Sequence, residues 1–148
     1  MGTEENARSA KRFVEEVINR GNLDVIDELS GSSVVDHNTP PGVEPGIEGL
    51  KQFFRMFRTA FPDLRYSVED SIAAGDKVVQ RLRASGTMQG DFIGMPASGK
   101  SATWEEIHIT RFATNGKVVE HWSVVDQLGM FQQLGFAEAP RQPVSSAR

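Results

Sequence analysis

The chain has 148 residues and a net charge of −4, with no cysteine and only three histidines. One domain is expected at this length. The lack of cysteine excludes disulfides, thiolate nucleophiles and cysteine zinc sites, and the acidic balance argues against nucleic acid as a partner. No stretch approaches the ~18 apolar residues of a membrane-spanning helix, so we expect no membrane partner and a cytoplasmic location.

The first half of the chain is predicted to be mainly helical. Apolar residues recur at three- and four-residue spacing in residues 4–20, and this spacing is typical of one helical stripe. A short helix is predicted for residues 24–29 and a short strand for residues 33–37. The proline- and glycine-rich residues 39–46 predict a loop, and residues 47–61 form a third amphipathic helix that ends before a proline.

The second half changes to the two-residue period of strands. The predicted strands are residues 64–68, 78–83, 103–112 and 118–122, followed by a closing helical turn over residues 128–134. Asn115-Gly116 is the strongest hairpin signal in the chain and joins the last two of these strands.

Helices followed by a meander of strands predict an α+β fold. We expect a curved antiparallel sheet with helices packed on its concave face, which together enclose a pocket. Residues 1–136 are predicted to form the single domain, and the Pro-, Ser- and Ala-rich residues 137–148 a flexible C-terminal tail.

Residues 94–101 match the phosphate-loop expression G-x-x-x-x-G-K-[ST] letter for letter. That motif binds phosphates because a strand precedes the loop and a helix follows it, so that backbone N–H groups cradle the anion. Here the following residues favour a strand, and Pro96 removes one backbone donor. We therefore interpret the segment as a glycine-rich turn and predict no nucleotide site.

Candidate chemical groups gather on two predicted strands. Strand alternation places Trp104, Glu106 and His108 on one face, and places His121 and Ser123 together on the returning strand. A face with this composition is unusual for open solvent and for a dry core. It suits a pocket with a polar floor.

Each candidate also has a purely structural interpretation. His37 fits a turn, His108 a hydrogen-bonded buried imidazole, His121 a packing residue, and Asp126 the N-cap of the last helix. Two tryptophans are candidates for packing or for stacking on a ligand: Trp104 and Trp122. No His-x-His or His-x-x-x-His pair occurs, so no metal site is expected.

Five separated segments, in order along the chain, resemble one known family. They are residues 19–24 (NRGNLD), 35–37 (VDH), 60–64 (AFPDL), 86–96, and 120–129 (EHW-x-x-x-D-x-x-G). These segments are similar to the SnoaL-like polyketide cyclase (ester cyclase) family of the nuclear-transport-factor-two-like superfamily. The resemblance runs from about residue 8 to residue 135. It implies a cone-shaped α+β barrel, a closed hydrophobic pocket and a homodimer or homotetramer.

The characterised cyclases of this family catalyse an intramolecular aldol condensation that closes the last ring of an aromatic polyketide ester, without metal or organic cofactor. The resemblance implies the same reaction for this chain. The family's pocket pair, an amide or acid followed two residues later by histidine, matches Glu106 and His108. Its polar strand near the pocket mouth matches Asp36, His37 and Asn38. One position departs from the pattern, because Ser123 stands where those cyclases place their acid/base aspartate, and a serine alone cannot abstract an α-proton.

We therefore predict a cofactor-independent pocket enzyme, a lyase of the cyclase type or an isomerase-like enzyme, acting on a hydrophobic ketone or ester by general acid–base catalysis. Glu106 or Asp126 would be the base, its pKa raised by an apolar wall, and His108 or His121 would donate to the enolate oxygen. The candidates for substrate binding are His37, Asn38, Trp104, Trp122 and Ser123. Two alternatives stay open: a non-catalytic module that binds a small hydrophobic ligand, and an isomerase or hydrolase of the same superfamily.

Overall fold

The computed structural model describes residues 2–138, so the predicted tail lies outside the described residues from residue 139 onward. The helical elements are α1 (Thr3–Arg12), a π-helix (Phe13–Asn19) that continues it, α2 (Val25–Leu29), α3 (Gly46–Ala60) and α4 (Gln127–Leu134). The strands are β1 (Ser30–Asp36), β2 (Arg65–Ala74), β3 (Lys77–Thr87), β4 (Ser101–Phe112) and β5 (Val118–Val125). Within residues 2–138, none of the helices combines the length and the apolar character needed to cross a membrane.

The five strands form one curved sheet in the order β1-β5-β4-β3-β2. Strands β2 to β5 are antiparallel neighbours, as the meander pattern predicts. The α+β class is thereby confirmed, with one difference at the edge, where β1 runs parallel to β5 and makes the sheet mixed. A parallel pair needs a long connection between its strands, and most of the chain lies between these two.

The hairpin between β4 and β5 turns at the predicted Asn115-Gly116. Gly116 has a φ of 83°, a left-handed conformation that glycine adopts without strain, and the Ala113 N–H donates to the Lys117 carbonyl at 2.8 Å. The resulting register pairs Thr110 with His121. The inward-facing residues of the two strands are therefore direct neighbours.

The helices cover the inner face of the sheet. α1 contacts β2 and β3, α3 contacts β1, and α4 contacts β4. α3 buries the apolar stripe that the sequence predicts, including Leu50, Phe54 and Phe57. Its start requires glycine, because a Cβ at Gly49 would lie 1.5 Å from the Glu44 carbonyl oxygen.

The segment that matches the phosphate-loop expression is a turn, as predicted. Its backbone donors are used internally: Met95 N–H donates to the Phe92 carbonyl, Gly99 N–H to the Met88 carbonyl, both at 2.9 Å. The strand β4 follows it directly, beginning at Ser101. Neither a helix N-terminus nor a free row of N–H groups is available there to hold a phosphate.

Candidate active site

Glu106 is the most deeply buried carboxylate of the sheet's inner face, with only 5% of its surface exposed. The Tyr66 hydroxyl donates to its Oε2 at 2.5 Å, and the Trp104 indole N–H donates to the same oxygen at 2.7 Å. The other oxygen, Oε1, lies 2.6 Å from His108 Nε2. Three donors thus satisfy a carboxylate in a place where an unpaired charge would be costly.

The hydrogen bonds continue from this carboxylate to a second one. His108 Nδ1 lies 2.9 Å from His121 Nε2, and His121 Nδ1 lies 3.1 Å from Asp36 Oδ2. The Asn38 backbone N–H donates to the remaining oxygen, Asp36 Oδ1, at 2.9 Å. We call Glu106, His108, His121 and Asp36 the tetrad.

The sheet register brings the tetrad together. Glu106 and His108 are two residues apart on β4 and share its inner face. His121 lies on β5, two residues from Ser123, which is the residue opposite His108. Asp36 at the end of β1 is paired with His121. Three adjacent strands therefore each supply part of one chain of polar side chains.

Both carboxylates of the tetrad are held ionised. Burial acts to raise the pKa of Glu106, but the hydrogen bond and charge of His108, together with the two other donors, hold that pKa below its usual value. Burial likewise acts to raise the pKa of Asp36, but the hydrogen bond from His121, together with the Asn38 N–H and the charge of the nearby histidines, lowers it by more. The expectation that an apolar wall raises the pKa of Glu106 is therefore wrong, because the hydrogen-bond donors outweigh desolvation.

Two other groups at the site are held neutral. Burial and the charge of His108 lower the pKa of His121, and the partly compensating hydrogen bond to Asp36 does not restore it. Burial and the negative charge of Glu106 raise the pKa of Tyr66 well above its ordinary value. At neutral pH, His121 is a neutral imidazole and Tyr66 a hydrogen-bond donor.

The hydrogen bonds within the tetrad require one proton more than two ionised carboxylates and two neutral imidazoles carry. Its three internal contacts each require one proton, whereas two ionised carboxylates and two neutral imidazoles supply only two. With two, His108 Nδ1 and His121 Nε2 would face each other as lone pairs at 2.9 Å. A third proton between the two rings would complete the chain of hydrogen bonds.

The imidazole nitrogens are all engaged within this network, which leaves none free for a metal. Among residues 2–138, no group of three or more histidine, aspartate or glutamate side chains is placed to hold a metal ion.

Two cavities meet at the tetrad. The outer cavity, of about 130 Å³, is lined by Asn38 and Pro40 and by aromatic rings from α3, β2, β4 and the loop before β4. The inner cavity, of about 50 Å³, lies toward α1 and the far end of the sheet. The residues that line both are Ile18, Asp36, Phe54, His108 and His121. The histidine pair therefore forms a wall between an aromatic chamber and a smaller chamber.

The structure brings most of the predicted site residues to the outer cavity. Trp104, Asn38 and Ser123 line it beside the tetrad, and the Ser123 backbone N–H donates to Asn38 Oδ1 at 2.7 Å. Asp126 is not brought there. It is exposed, and its Oδ1 accepts the Gly129 N–H at 3.0 Å, which is the N-cap role considered from the sequence.

His37 and Trp122 lie on the opposite face of the sheet. Their rings stack with centroids 5.1 Å apart, and His37 Nε2 lies 2.7 Å from Glu120 Oε2. His37 directly follows Asp36, and consecutive residues at a strand point to opposite faces. Because Asp36 faces the cavity, His37 faces away from it.

Two residues of the site were not predicted to be part of it. Tyr66 and Gln80 are both buried and both line a cavity. A sequence signal was present for each, because Tyr66 alternates with apolar residues and Gln80 stands between inward-facing Val78 and Leu82 on β3.

The fold and the cavity with its acid–base residues define a small α+β protein of the nuclear-transport-factor-two-like class. The chain belongs to the SnoaL-like polyketide cyclase family, whose sequence profile matches residues 8–134. The family resemblance is thereby confirmed. The chain is 28% identical over 133 residues to aklanonic acid methyl ester cyclase DauD of Streptomyces sp. (strain C5), covering 84% of this chain and 78% of that protein.

Solved structures show the same fold. TsrD from Streptomyces laurentii superposes with a TM-score of 0.84 at 29% identity, covering 93% of this chain and 99% of that chain. IdmH from Streptomyces antibioticus superposes with a TM-score of 0.75 at 29% identity, covering 88% of this chain and 98% of that chain.

Proposed function

We propose that the protein is a cofactor-independent enzyme of the polyketide ester cyclase type, which closes a ring by an intramolecular aldol reaction using the histidine pair of the tetrad. The observation that carries this proposal is the 2.9 Å contact between His108 Nδ1 and His121 Nε2 at the wall of an aromatic cavity. Each imidazole is held by a carboxylate on its other nitrogen, so the two reactive nitrogens meet at one point.

The carboxylates fix which nitrogen of each ring reacts. Ionised Glu106 accepts a hydrogen bond from His108 Nε2–H, and ionised Asp36 accepts one from His121 Nδ1–H. The remaining nitrogens are His108 Nδ1, which holds the additional proton, and His121 Nε2, which can accept a substrate proton once the contact between the two rings opens. A carboxylate that orients a histidine and stabilises its charged form is an established catalytic arrangement. Here two such units face each other, one acidic and one basic.

An aldol closure uses one acid and one base, and the proton count balances. His121 Nε2 removes the α-proton of a ketone, and the enolate carbon then attacks a second carbonyl, forming the new C–C bond. The alkoxide oxygen that develops there takes the proton from His108 Nδ1. The proton that His121 Nε2 gained then passes to His108 Nδ1. The tetrad therefore ends with three protons, as it began. Proton transfer of this kind contributes on the order of 10²–10⁴-fold.

This assignment supplies the base that Ser123 does not. His121 is a competent base because burial keeps its imidazole neutral. The substrate class is an aromatic ester with an enolisable ketone. Support comes from the aromatic lining by Phe53, Phe57 and Trp104, and from the relative named aklanonic acid methyl ester cyclase.

A non-catalytic module that binds a hydrophobic ligand is the second candidate. One observation favours it: all four imidazole nitrogens of the tetrad already have partners inside the protein. Catalysis requires the contact between His108 and His121 to open when the substrate enters, whereas simple ligand binding does not.

The test is the exchange of α-protons for deuterium, followed by NMR, in an aromatic polyketide methyl ester incubated with the protein in D₂O. Formation of the cyclised product is followed in the same sample. We expect exchange and cyclisation with the wild-type chain, and a loss of at least about 10²-fold in the variants His108→Gln and His121→Gln. The matched control is His37→Gln, the same substitution on the opposite face of the sheet, which should leave both rates unchanged.

The outcomes separate the two candidates. Binding of the ester without exchange or cyclisation in the wild-type chain would favour the binding module. Exchange that persists in both cavity variants would refute the histidine pair as the acid and the base.

A further inference from the structure

Two buried polar atoms in the described part of the chain have no hydrogen-bond partner: Ser30 Oγ and Gln80 Nε2. Both residues line the inner cavity. Ser30 is 4% exposed and Gln80 is 3% exposed, so bulk water does not satisfy either of them. Buried polar side chains nearly always have a partner. Two unpartnered polar atoms on the lining of one cavity therefore indicate that the cavity holds a polar ligand.

The position of Gln80 ties this cavity to the tetrad. Gln80 lies on β3 directly opposite His108 on β4, and directly opposed residues on antiparallel strands have Cβ atoms about 4.5–5.5 Å apart. Thr110, the next inward residue of β4, also lines the cavity. The polar atoms of the cavity thus collect along the sheet, next to the histidine pair.

The remaining lining sets the character of the ligand. The helix-side wall is apolar and consists of Ala10, Phe13, Val14, Leu50 and Phe54. A cavity of about 50 Å³ is several times the ~10–15 Å³ that one water needs, and it therefore has room for a group of about four non-hydrogen atoms. A free ion would lose its hydration against these walls, so the ligand is uncharged.

We propose that the inner cavity is a binding site for a compact, uncharged oxygen acceptor about the size of acetone, with Gln80 Nε2 as the donor to its oxygen. That oxygen comes from ordered water or from a short carbonyl-bearing end of the ligand of the outer cavity. The second source rests on the proposed function, since it requires the substrate to pass the wall formed by His108 and His121. The site itself requires no turnover.

The experiment titrates the full ¹⁵N-labelled chain with acetone and, separately, with isobutene, which has the same shape but carries a methylene in place of the oxygen. The readout is the side-chain amide signal of Gln80, assigned by its loss in Gln80→Leu. We expect acetone to shift this signal saturably and isobutene to bind at least 10-fold more weakly. In Gln80→Leu, acetone binding, followed by shifts of neighbouring backbone amides, should weaken at least 10-fold.

Two further variants keep the test interpretable. Gln52→Leu, the same substitution at an exposed position of α3, should leave acetone binding unchanged. Gln80→Met, which keeps an unbranched side chain of similar length without the amide donor, serves if Gln80→Leu does not fold.

Water as the source is detected by magnetisation transfer from long-lived water to the Gln80 amide in the absence of acetone. An acetone-specific shift would support the site, and water detected there without acetone would show that water holds the same place when no ligand is bound. Water without any acetone shift would overturn the proposal. The proposal is overturned if the amide shows neither, or if acetone and isobutene bind equally and Gln80→Leu changes nothing. These readouts involve no catalysis, so failure of the α-proton exchange assay would leave this result intact, and the reverse also holds.

Discussion

His108 Nδ1 and His121 Nε2 face each other at 2.9 Å, while the opposite nitrogen of each ring is bound to a buried carboxylate. Neither ring can turn away without breaking a charge-assisted hydrogen bond. The contact therefore requires a proton between the two nitrogens. Because the fold holds both rings in place, it also sets the number of protons that the tetrad carries.

The first prediction concerns the pH dependence of α-proton exchange. Burial lowers the pKa of His121, so this histidine stays a neutral base until the pH falls below its ordinary value of 6.5. We expect the acidic limb of the rate profile to lie below pH 6.5. An acidic limb at or above pH 6.5 would contradict the assignment of His121 as the base.

The second prediction concerns Glu106→Gln. The amide N–H of glutamine can donate to His108 Nε2, which moves the proton of a neutral His108 to Nδ1, where it donates to His121. The three contacts of the tetrad are then complete without an additional proton. We expect the variant to fold with two neutral imidazoles, visible in ¹⁵N shifts, and to lose about 10²-fold or more in exchange and cyclisation because the acid is lost.

The matched control for this substitution is Glu105→Gln. Glu105 is the adjacent residue on β4, points to the outer face, and forms an exposed ion pair with Arg81, a kind of pair worth little. This variant should keep the imidazolium signal and the wild-type rates. If Glu106→Gln also kept them, the third proton would not be needed for catalysis.

The sequence predicted the part of the site that lies within one hairpin. Alternation along β4 and the Asn-Gly turn suffice to place Glu106 and His108 beside the strand that carries His121, because both depend on local spacing. The same reasoning gave the correct face for Ser123. It did not decide whether Asp126 is a base or an N-cap, because that residue follows the end of the strand.

The rest of the site depends on contacts between distant parts of the chain. Asp36 reaches His121 across 85 residues because β1 adds in parallel at the sheet edge, and no local pattern signals such a pairing. Tyr66 reaches Glu106 from two strands away. The pKa of Glu106 could not be predicted either, since its direction depends on these distant donors.

The third prediction uses Tyr66, the single tyrosine of the chain. Its pKa is raised well above 10.0 by burial and by the charge of Glu106. In the folded state the phenol therefore stays protonated at pH values at which the unfolded chain ionises. We expect stability to fall as the pH rises above about 10, and phenolate absorbance near 295 nm to appear together with unfolding. A phenolate signal below that pH in the folded protein would contradict the buried hydrogen bond.

The fourth prediction concerns Tyr66→Phe. Removal of the hydroxyl takes one of three donors from ionised, buried Glu106. Hydrogen bonds to charged groups contribute about 1.5–3 kcal/mol, so we expect a loss of unfolding free energy in that range by urea denaturation. The apparent pKa of Glu106, followed by ¹³C NMR, should rise because a donor to its charged form is gone. A pKa that does not rise would mean that the hydroxyl does not stabilise the carboxylate.

The fifth prediction separates Asp126 from the chemistry. Its carboxylate accepts the Gly129 N–H at the start of α4, so Asp126→Ala should lower the unfolding free energy by about 1 kcal/mol, and Asp126→Asn, which retains a capping oxygen, should lower it less. Because the side chain is exposed and does not line the outer cavity, both variants should exchange α-protons at the wild-type rate. The measurement is urea denaturation alongside the exchange assay. A rate loss in Asp126→Asn that exceeds its loss of folded protein would instead make Asp126 the base, and would move the catalytic centre from the histidine pair to the mouth of the cavity.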